Sequence, residues 1–186
     1  MAHAICPWWL GYFLINPLRR LIQNPEKLLQ PLVKPDMTAL DVGPGMGYFT
    51  IPMASLVGPK GTVIAVDLQQ KMLDSLMHRA RRAGVADRID ARLCAEDSLK
   101  LEQYEGKVDF ALAFAMVHEV DDKAALLNQI NRALRLGGRL LISEPRLHVS
   151  EAAFEKTSII ARQAGFEVAD RPRITWSRSI LLAKTR

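Results

Sequence analysis

An α/β fold with a mostly parallel sheet covered by helices is predicted by three features of this 186-residue chain. Short apolar stretches bounded by turn residues alternate with helix-period segments along its length. The runs Thr62-Val63-Ile64-Ala65-Val66 and Val108 to Ala115 are apolar at successive positions, as expected of strands buried on both faces. Finally, Ala39 to Thr50 reads as a buried strand entering a glycine-rich turn and then a helix.

The elements follow in order. Asn24-Pro25-Glu26 is an N-cap followed by proline at the first helical position, opening a short helix that ends near Pro31. A first strand is expected over about Thr38 to Val42 and a helix over Tyr48 to Leu56. The second strand ends at Asp67. A periodic helix follows, with Leu68, Met72, Leu76 and Ala80 in one row, Leu73 and Met77 beside them, and Gly84 as its stop. Strands are expected at Ile89 to Leu93 and Val108 to Ala115. Asp121 is the expected cap of a helix carrying Leu126, Leu127, Ile130 and Leu134, which stops at Gly137-Gly138. A fifth strand spans Arg139 to Ser143. Ser150 caps a helix to Ala164, and segments at Phe166 to Asp170 and Ser177 to Lys184 close the chain.

The glycine turn points to a ligand. Gly43, Gly45 and Gly47 occupy alternate positions, where a missing Cβ lets backbone approach a bound molecule. Asp41 can orient that loop or a bound ammonium. Asp67 ends the second strand twenty residues after the third glycine, where a carboxylate can accept from both hydroxyls of a ribose. The combination indicates a nucleoside cofactor. Dinucleotide turns use G-x-G-x-x-G; here the third glycine comes one residue early, and Tyr48 stands where that pattern wants a small residue.

The G-x-G-x-G form after an acidic residue resembles motif I of the class I S-adenosylmethionine (SAM) methyltransferases. The resemblance covers about Pro35 to the C-terminus. It implies a Rossmann-like three-layer sandwich, with a mostly parallel seven-stranded sheet and an antiparallel last strand. SAM is then the cofactor and S-adenosylhomocysteine the product. Cofactor contacts are implied at Asp41, Gly43, Gly45, Gly47, Asp67 and the adjoining Leu68. In the family, the segment after the third strand holds adenine; here it is Leu93-Cys94-Ala95-Glu96-Asp97. Cys94 takes the position that is usually acidic, a departure from the pattern. Cys94, Ala95 or Glu96 lines the adenine on this reading, while Glu96 and Asp97 as solvated loop charges is the competing one. The backbone around Ala115 is placed to receive the methionine ammonium.

Ligands sit beyond the carboxyl ends of parallel strands. After the fourth strand that edge presents His118 and Glu119; after the fifth, Glu144-Pro145-Arg146 and His148. Four ionisable groups, His118, Glu119, Glu144 and His148, form a candidate acid/base site. Either histidine, with a reference pKa near 6.5, can take a proton from a hydroxyl or thiol. Against this, His118 can simply pack the strand-end loop while Glu119 is solvated.

Residues 1–34 are expected to form an N-terminal helical lid or extension on a SAM-binding core of residues 35–186. The segment from His3 to Tyr12 holds two of the three tryptophans. It suits a lid over the cofactor cleft, a hydrophobic anchor on the sheet edge, or a membrane-surface helix with Arg19 and Arg20 at the headgroups. The run Ile5 to Ile15 is too short, and too interrupted by Pro7 and Gly11, for a signal peptide or a spanning helix. His3, Cys6, His118, Glu119, Glu144 and His148 follow no zinc spacing, and no metal is expected. Two distant cysteines, Cys6 and Cys94, suit a reducing cytoplasm and lack the set a thiol-relay arsenite enzyme would use.

A net charge of +5 permits but does not require contact with nucleic acid. The basic run from His78 to Arg82 is explained by its place at a helix C-terminus. No Asn/Asp-Pro-Pro-aromatic loop, Pro-Cys nucleophile or paired-glutamate loop marks a base or arginine methyltransferase. The sequence therefore reads as a SAM-dependent methyltransferase acting on a small molecule. Its alternatives are an RNA or protein methyltransferase with a partner, or a non-catalytic SAM-binding module.

Overall fold

The computed structural model describes residues 23–186. The expected N-terminal lid lies, for residues 1–22, outside the described residues. Seven strands form one sheet: β1 (Thr38–Val42), β2 (Thr62–Asp67), β3 (Ile89–Leu93), β4 (Val108–Phe114), β5 (Leu134–Pro145), β6 (Phe166–Asp170) and β7 (Ser177–Lys184). Their order is β3-β2-β1-β4-β5-β7-β6, which is the expected Rossmann-like methyltransferase topology. β7 lies between β5 and β6, antiparallel to both.

In residues 23–94, β1 pairs with β2 and β2 with β3, all parallel. Val63 to Val66 are buried in succession. Successive side chains point to opposite faces, so both faces there are covered. Helix α1 (Pro25–Leu29) is capped by Asn24, whose side chain accepts from the Lys27 amide at 3.2 Å. Helix α2 (Thr50–Val57) packs on β1 and β2, and α3 (Gln70–Arg82) on β2 and β3. Met72, Leu73, Leu76 and Ala80 form the buried stripe of α3. Leu68, assigned from periodicity to that stripe, precedes the helix and is 38% exposed. Helix α2 begins at Thr50 rather than Tyr48, because Gly47 is left-handed (φ 83°) and the Tyr48 hydroxyl donates to the Gln23 carbonyl at 2.7 Å.

In residues 95–186, β4 runs parallel to β5. Helix α4 (Lys123–Ala133) packs on β5 and against α5 (Glu151–Gln163), which packs on β6 and β7. The cap of α4 is Asp122, not Asp121: its carboxylate accepts from the Ala125 amide at 2.8 Å. The helix also stops short of Gly137. The Gly106 and Lys107 amides donate to the Arg132 and Ala133 carbonyls, and the Lys184 ammonium donates to the Asn131 and Leu134 carbonyls. With its terminal acceptors taken by other segments, the chain turns extended at Leu134 and pairs with Val108, lengthening β5 beyond the expected Arg139 start. Ser150 caps α5 as expected, accepting from Ala153 at 3.2 Å.

Candidate active site

Asp41 stands near the end of β1, only 2% exposed. The Thr50 hydroxyl donates to its carboxylate at 2.6 Å. This bond joins the strand to the start of α2 and so brackets the glycine turn. Burial pushes the Asp41 pKa up to about 7; the Thr50 hydrogen bond opposes the rise, and the nearby Asp67 charge adds to it.

The three glycines of the turn are all left-handed. Two of them serve different ends. A Cβ on Gly45 (φ 53°) would meet nothing within 4 Å, so the turn leaves open space there. A Cβ on Gly47 would lie 3.0 Å from the Leu76 side chain, so this glycine permits close packing of α3. From the same helix, the Arg79 guanidinium donates to the Met46 carbonyl.

Asp67, at the end of β2, is 8% exposed. One carboxylate oxygen accepts from the Gly45 amide at 3.2 Å and the other from the Gln69 amide at 2.9 Å. Burial raises its pKa against the lowering effect of these amides. Asp67 is thus tied to the glycine turn itself. Leu93 pairs with Asp67 in register and is 42% exposed, and the Cys94 amide donates to the Asp67 carbonyl at 3.0 Å. Leu68 and Leu93 therefore present apolar surface at the carboxyl ends of neighbouring strands.

In residues 95–186, Ala95 and Ser98 close a turn through reciprocal backbone bonds, with Glu96 exposed on it. Gln129 of α4 holds the next residues, accepting from the Leu99 amide at 2.7 Å and donating to the Asp97 carbonyl at 3.0 Å. Beyond β4, Ala115 adopts φ 57°, and its amide donates to Ser143 at 2.7 Å. A non-glycine residue in that region carries strain of a kind that gathers at functional sites.

The short helical turn Val117–Glu119 follows. His118 Nδ1 is hydrogen bonded to one oxygen of Glu144, whose other oxygen accepts from the Val117 amide at 2.8 Å. Glu144 is 2% exposed, and His118 is half-buried. The Glu144 hydrogen bond holds the His118 pKa above its ordinary value. Burial opposes the rise; the charges of Glu144 and Glu119 add to it, and Lys123 detracts. The His148 ring lies 5.8 Å from that of His118, inclined by 64°, and is exposed.

Of the four ionisable candidates, the structure thus joins His118 to Glu144, sets His148 beside His118, and leaves Glu119 acting on His118 through its charge. Among the described residues no group of three or more His, Cys, Asp or Glu is arranged to hold a metal ion. Thr50 and Gln129 were not anticipated. Leu93 closes β3 at the start of the segment the sequence assigned to adenine, whereas Thr50 and Gln129 act on partners that local patterns do not reveal.

This topology, with a glycine turn after β1 and a carboxylate closing β2, is that of the Rossmann-like methyltransferase fold. The chain belongs to the methyltransferase domain family, whose sequence model matches residues 33–171. It is 31% identical over 111 residues to the ubiquinone/menaquinone biosynthesis C-methyltransferase UbiE of Shewanella sp. strain W3-18-1, covering 60% of this chain and 43% of that protein. It is 33% identical over 112 residues to an uncharacterized 37.1 kDa protein in transposon Tn4556 of Streptomyces fradiae, covering 60% and 31%. The chain thus spans less than half the length of these curated relatives. Its fold is similar to that of a SAM-dependent methyltransferase from Aquifex aeolicus, with a TM-score of 0.86 at 23% identity, over 96% of this chain and 98% of that one.

Proposed function

We propose that this chain transfers the methyl group of SAM to a small-molecule acceptor, at oxygen, nitrogen, sulfur or an activated carbon, leaving S-adenosylhomocysteine. The cradle fits the cofactor. Space is open beyond Gly45, Leu68 and Leu93 offer apolar surface for a base, and the Asp67 carboxylate, held by backbone amides of Gly45, Gln69 and Leu68, is the proposed acceptor for ribose hydroxyls. Asp41, Gly43, Gly45, Gly47, Asp67 and Leu68 would hold it, with Cys94, Ala95, Glu96 and Ala115 as further contacts. SAM, when bound, supplies a methyl group already activated by a sulfonium. The chain must then supply orientation, worth about 7–11 kcal/mol in favourable cases, and a base where the acceptor arrives protonated.

The His118–Glu144 pair carries this reading. A carboxylate on Nδ1 fixes the tautomer in which Nδ1 bears the proton, and leaves Nε2 as a proton acceptor. Because the Val117 amide holds Glu144 in turn, the imidazole is oriented before any substrate arrives. Positioned general bases contribute about 10²- to 10⁴-fold. His148 and Glu119 are proposed as neighbouring substrate contacts. Residues 35–186 form the proposed catalytic core and residues 1–34 its extension.

The small-molecule class is supported by relatives named as C-methyltransferases of quinone biosynthesis. A cytoplasmic setting suits a sequence with two widely separated cysteines. The test is incubation with methyl-labelled SAM and a cell extract split into a small-molecule filtrate and a macromolecular fraction. Label in the filtrate is the expected result. Label on RNA or protein, or transfer to neither fraction, would overturn the assignment.

A further inference from the structure

The loops at one end of β5 and β7 combine exposed apolar tips with positive charge. Leu147 is 95% exposed and Trp176 is 69% exposed. They are neighbours: β5 and β7 pair as far as Pro145 and Ser177, and the next amide, that of Arg146, donates to the Trp176 carbonyl at 2.9 Å. Leu147 lies in the turn closed by the His148 and Val149 amides on the Pro145 carbonyl. Trp176 lies in a turn closed by the Ser177 amide on Ile174, with φ 58°, a conformation bulky residues rarely adopt.

The loops themselves carry positive charge, with the exposed carboxylates Glu151 and Asp170 at their outer margins. Residues 145–150 and 171–178 contain four arginines (Arg146, Arg171, Arg173 and Arg178) and no carboxylate. Arg146 and Arg178 are fixed on backbone carbonyls, Arg146 donating to Ser177 at 3.0 Å and Arg178 to Arg146 at 3.4 Å. Arg171 is paired with Glu155 of α5 at 3.1 Å, while Arg173 is exposed.

We propose that these two loops form a contact face for an anionic membrane surface. Trp176 and Leu147 would enter the headgroup boundary, and Arg146, Arg173 and Arg178 would meet lipid phosphates. Tryptophan favours that boundary, and buried apolar area and cationic charge add in interfacial binding. A nucleic acid would use the arginines and stack on Trp176, but would gain nothing from a fully exposed aliphatic tip. The face borders the paired residues described above: Glu144 lies three residues before Leu147 and His148 one residue after it. An apolar acceptor held in a bilayer would therefore reach the protein beside the His118–Glu144 pair. The lipid contact itself does not depend on which acceptor is methylated.

The test is co-sedimentation of the full chain with vesicles of phosphatidylcholine, alone or mixed with phosphatidylglycerol, and in parallel its binding to a single-stranded RNA oligomer. Wild type should bind the anionic vesicles about tenfold more tightly than the neutral ones, and lose binding as salt rises. Leu147→Ser combined with Trp176→Ser should weaken that binding about tenfold while SAM affinity, by calorimetry, is unchanged. Arg173→Glu, at an exposed tip, should weaken it as well and serves if the double variant does not fold. Equal binding to both vesicle types, wild-type binding by either variant, or binding to RNA without binding to vesicles would overturn the proposal. Wild-type binding by both variants would move any lipid contact elsewhere, residues 1–22 included.

Discussion

His118 and Glu144 are joined through Nδ1 although 26 residues separate them, and the Val117 amide fixes the carboxylate on its other oxygen. A buried glutamate that orients an imidazole makes the pair one unit. Removing either member should therefore change what the other does.

The expected consequence is a pH limb in turnover. His118 serves as a base only when neutral, so kcat/KM should rise with pH through a pKa held above the ordinary histidine value by Glu144. Glu144→Gln should move that limb to lower pH, and His118→Ala should abolish it while lowering turnover about 10²-fold or more with SAM affinity intact. An unchanged limb in Glu144→Gln would exclude the pairing from catalysis. The same shift affects stability. Because folding raises the His118 pKa, its contribution is fully present below about pH 6.5 and fades as pH rises through the folded value.

Asp41 should add a pH dependence of stability with the same sign. Its pKa of about 7 in the folded protein exceeds its ordinary value of 3.8. The folded state therefore holds an extra proton between about pH 4 and 7, and stability should fall as pH rises across that window. A rise of about three units corresponds to at most about 4 kcal/mol. Asp41→Asn, which keeps an acceptor for Thr50, should match the wild type near pH 4 and exceed it at pH 8 in urea denaturation. Parallel pH profiles for the two proteins would refute the assignment.

Asp67→Ala should weaken SAM binding in two ways, by removing the proposed ribose acceptor and by releasing the Gly45 amide. Hydrogen bonds to a charged group are worth about 1.5–3 kcal/mol each, so a loss of about 10- to 100-fold or more is expected on calorimetric titration. Unchanged affinity would dismiss Asp67 as a ligand residue.

Gly45→Ala and Gly47→Ala should separate binding from stability. Both impose left-handed strain of about 1–2 kcal/mol. At Gly47 the new methyl also meets Leu76 at 3.0 Å, so thermal unfolding should show the larger loss there. At Gly45 the methyl enters open space, so the larger loss should be in SAM affinity. The reverse ranking would mean that the space beyond Gly45 is not a cofactor site.

Most of the fold was legible because its signals are local. Strand β1, β3, β6 and β7 limits, the Asn24 and Ser150 caps and the Gly84 stop each depend on residues within a few positions of one another. The errors arose where a distant group intervened. Helix α4 ends at Ala133 because Gly106, Lys107 and Lys184 take its terminal carbonyls, and no periodicity within the helix announces that. Leu68 matched the apolar row of α3 but lies outside the helix and partly in solvent.

The sequence by itself determined the sheet class, the glycine turn and the placing of Asp41 and Asp67 at strand ends, because strand, turn and carboxylate recur within short spacings. Only the tertiary structure decided the partners. Thr50 closes on Asp41, Gly45 on Asp67 and His118 on Glu144 because strand register and the return of the chain bring separated groups within hydrogen-bonding reach. A carboxylate's position is written locally; whether it is buried, neutral or holding an imidazole depends on what the rest of the chain packs against it.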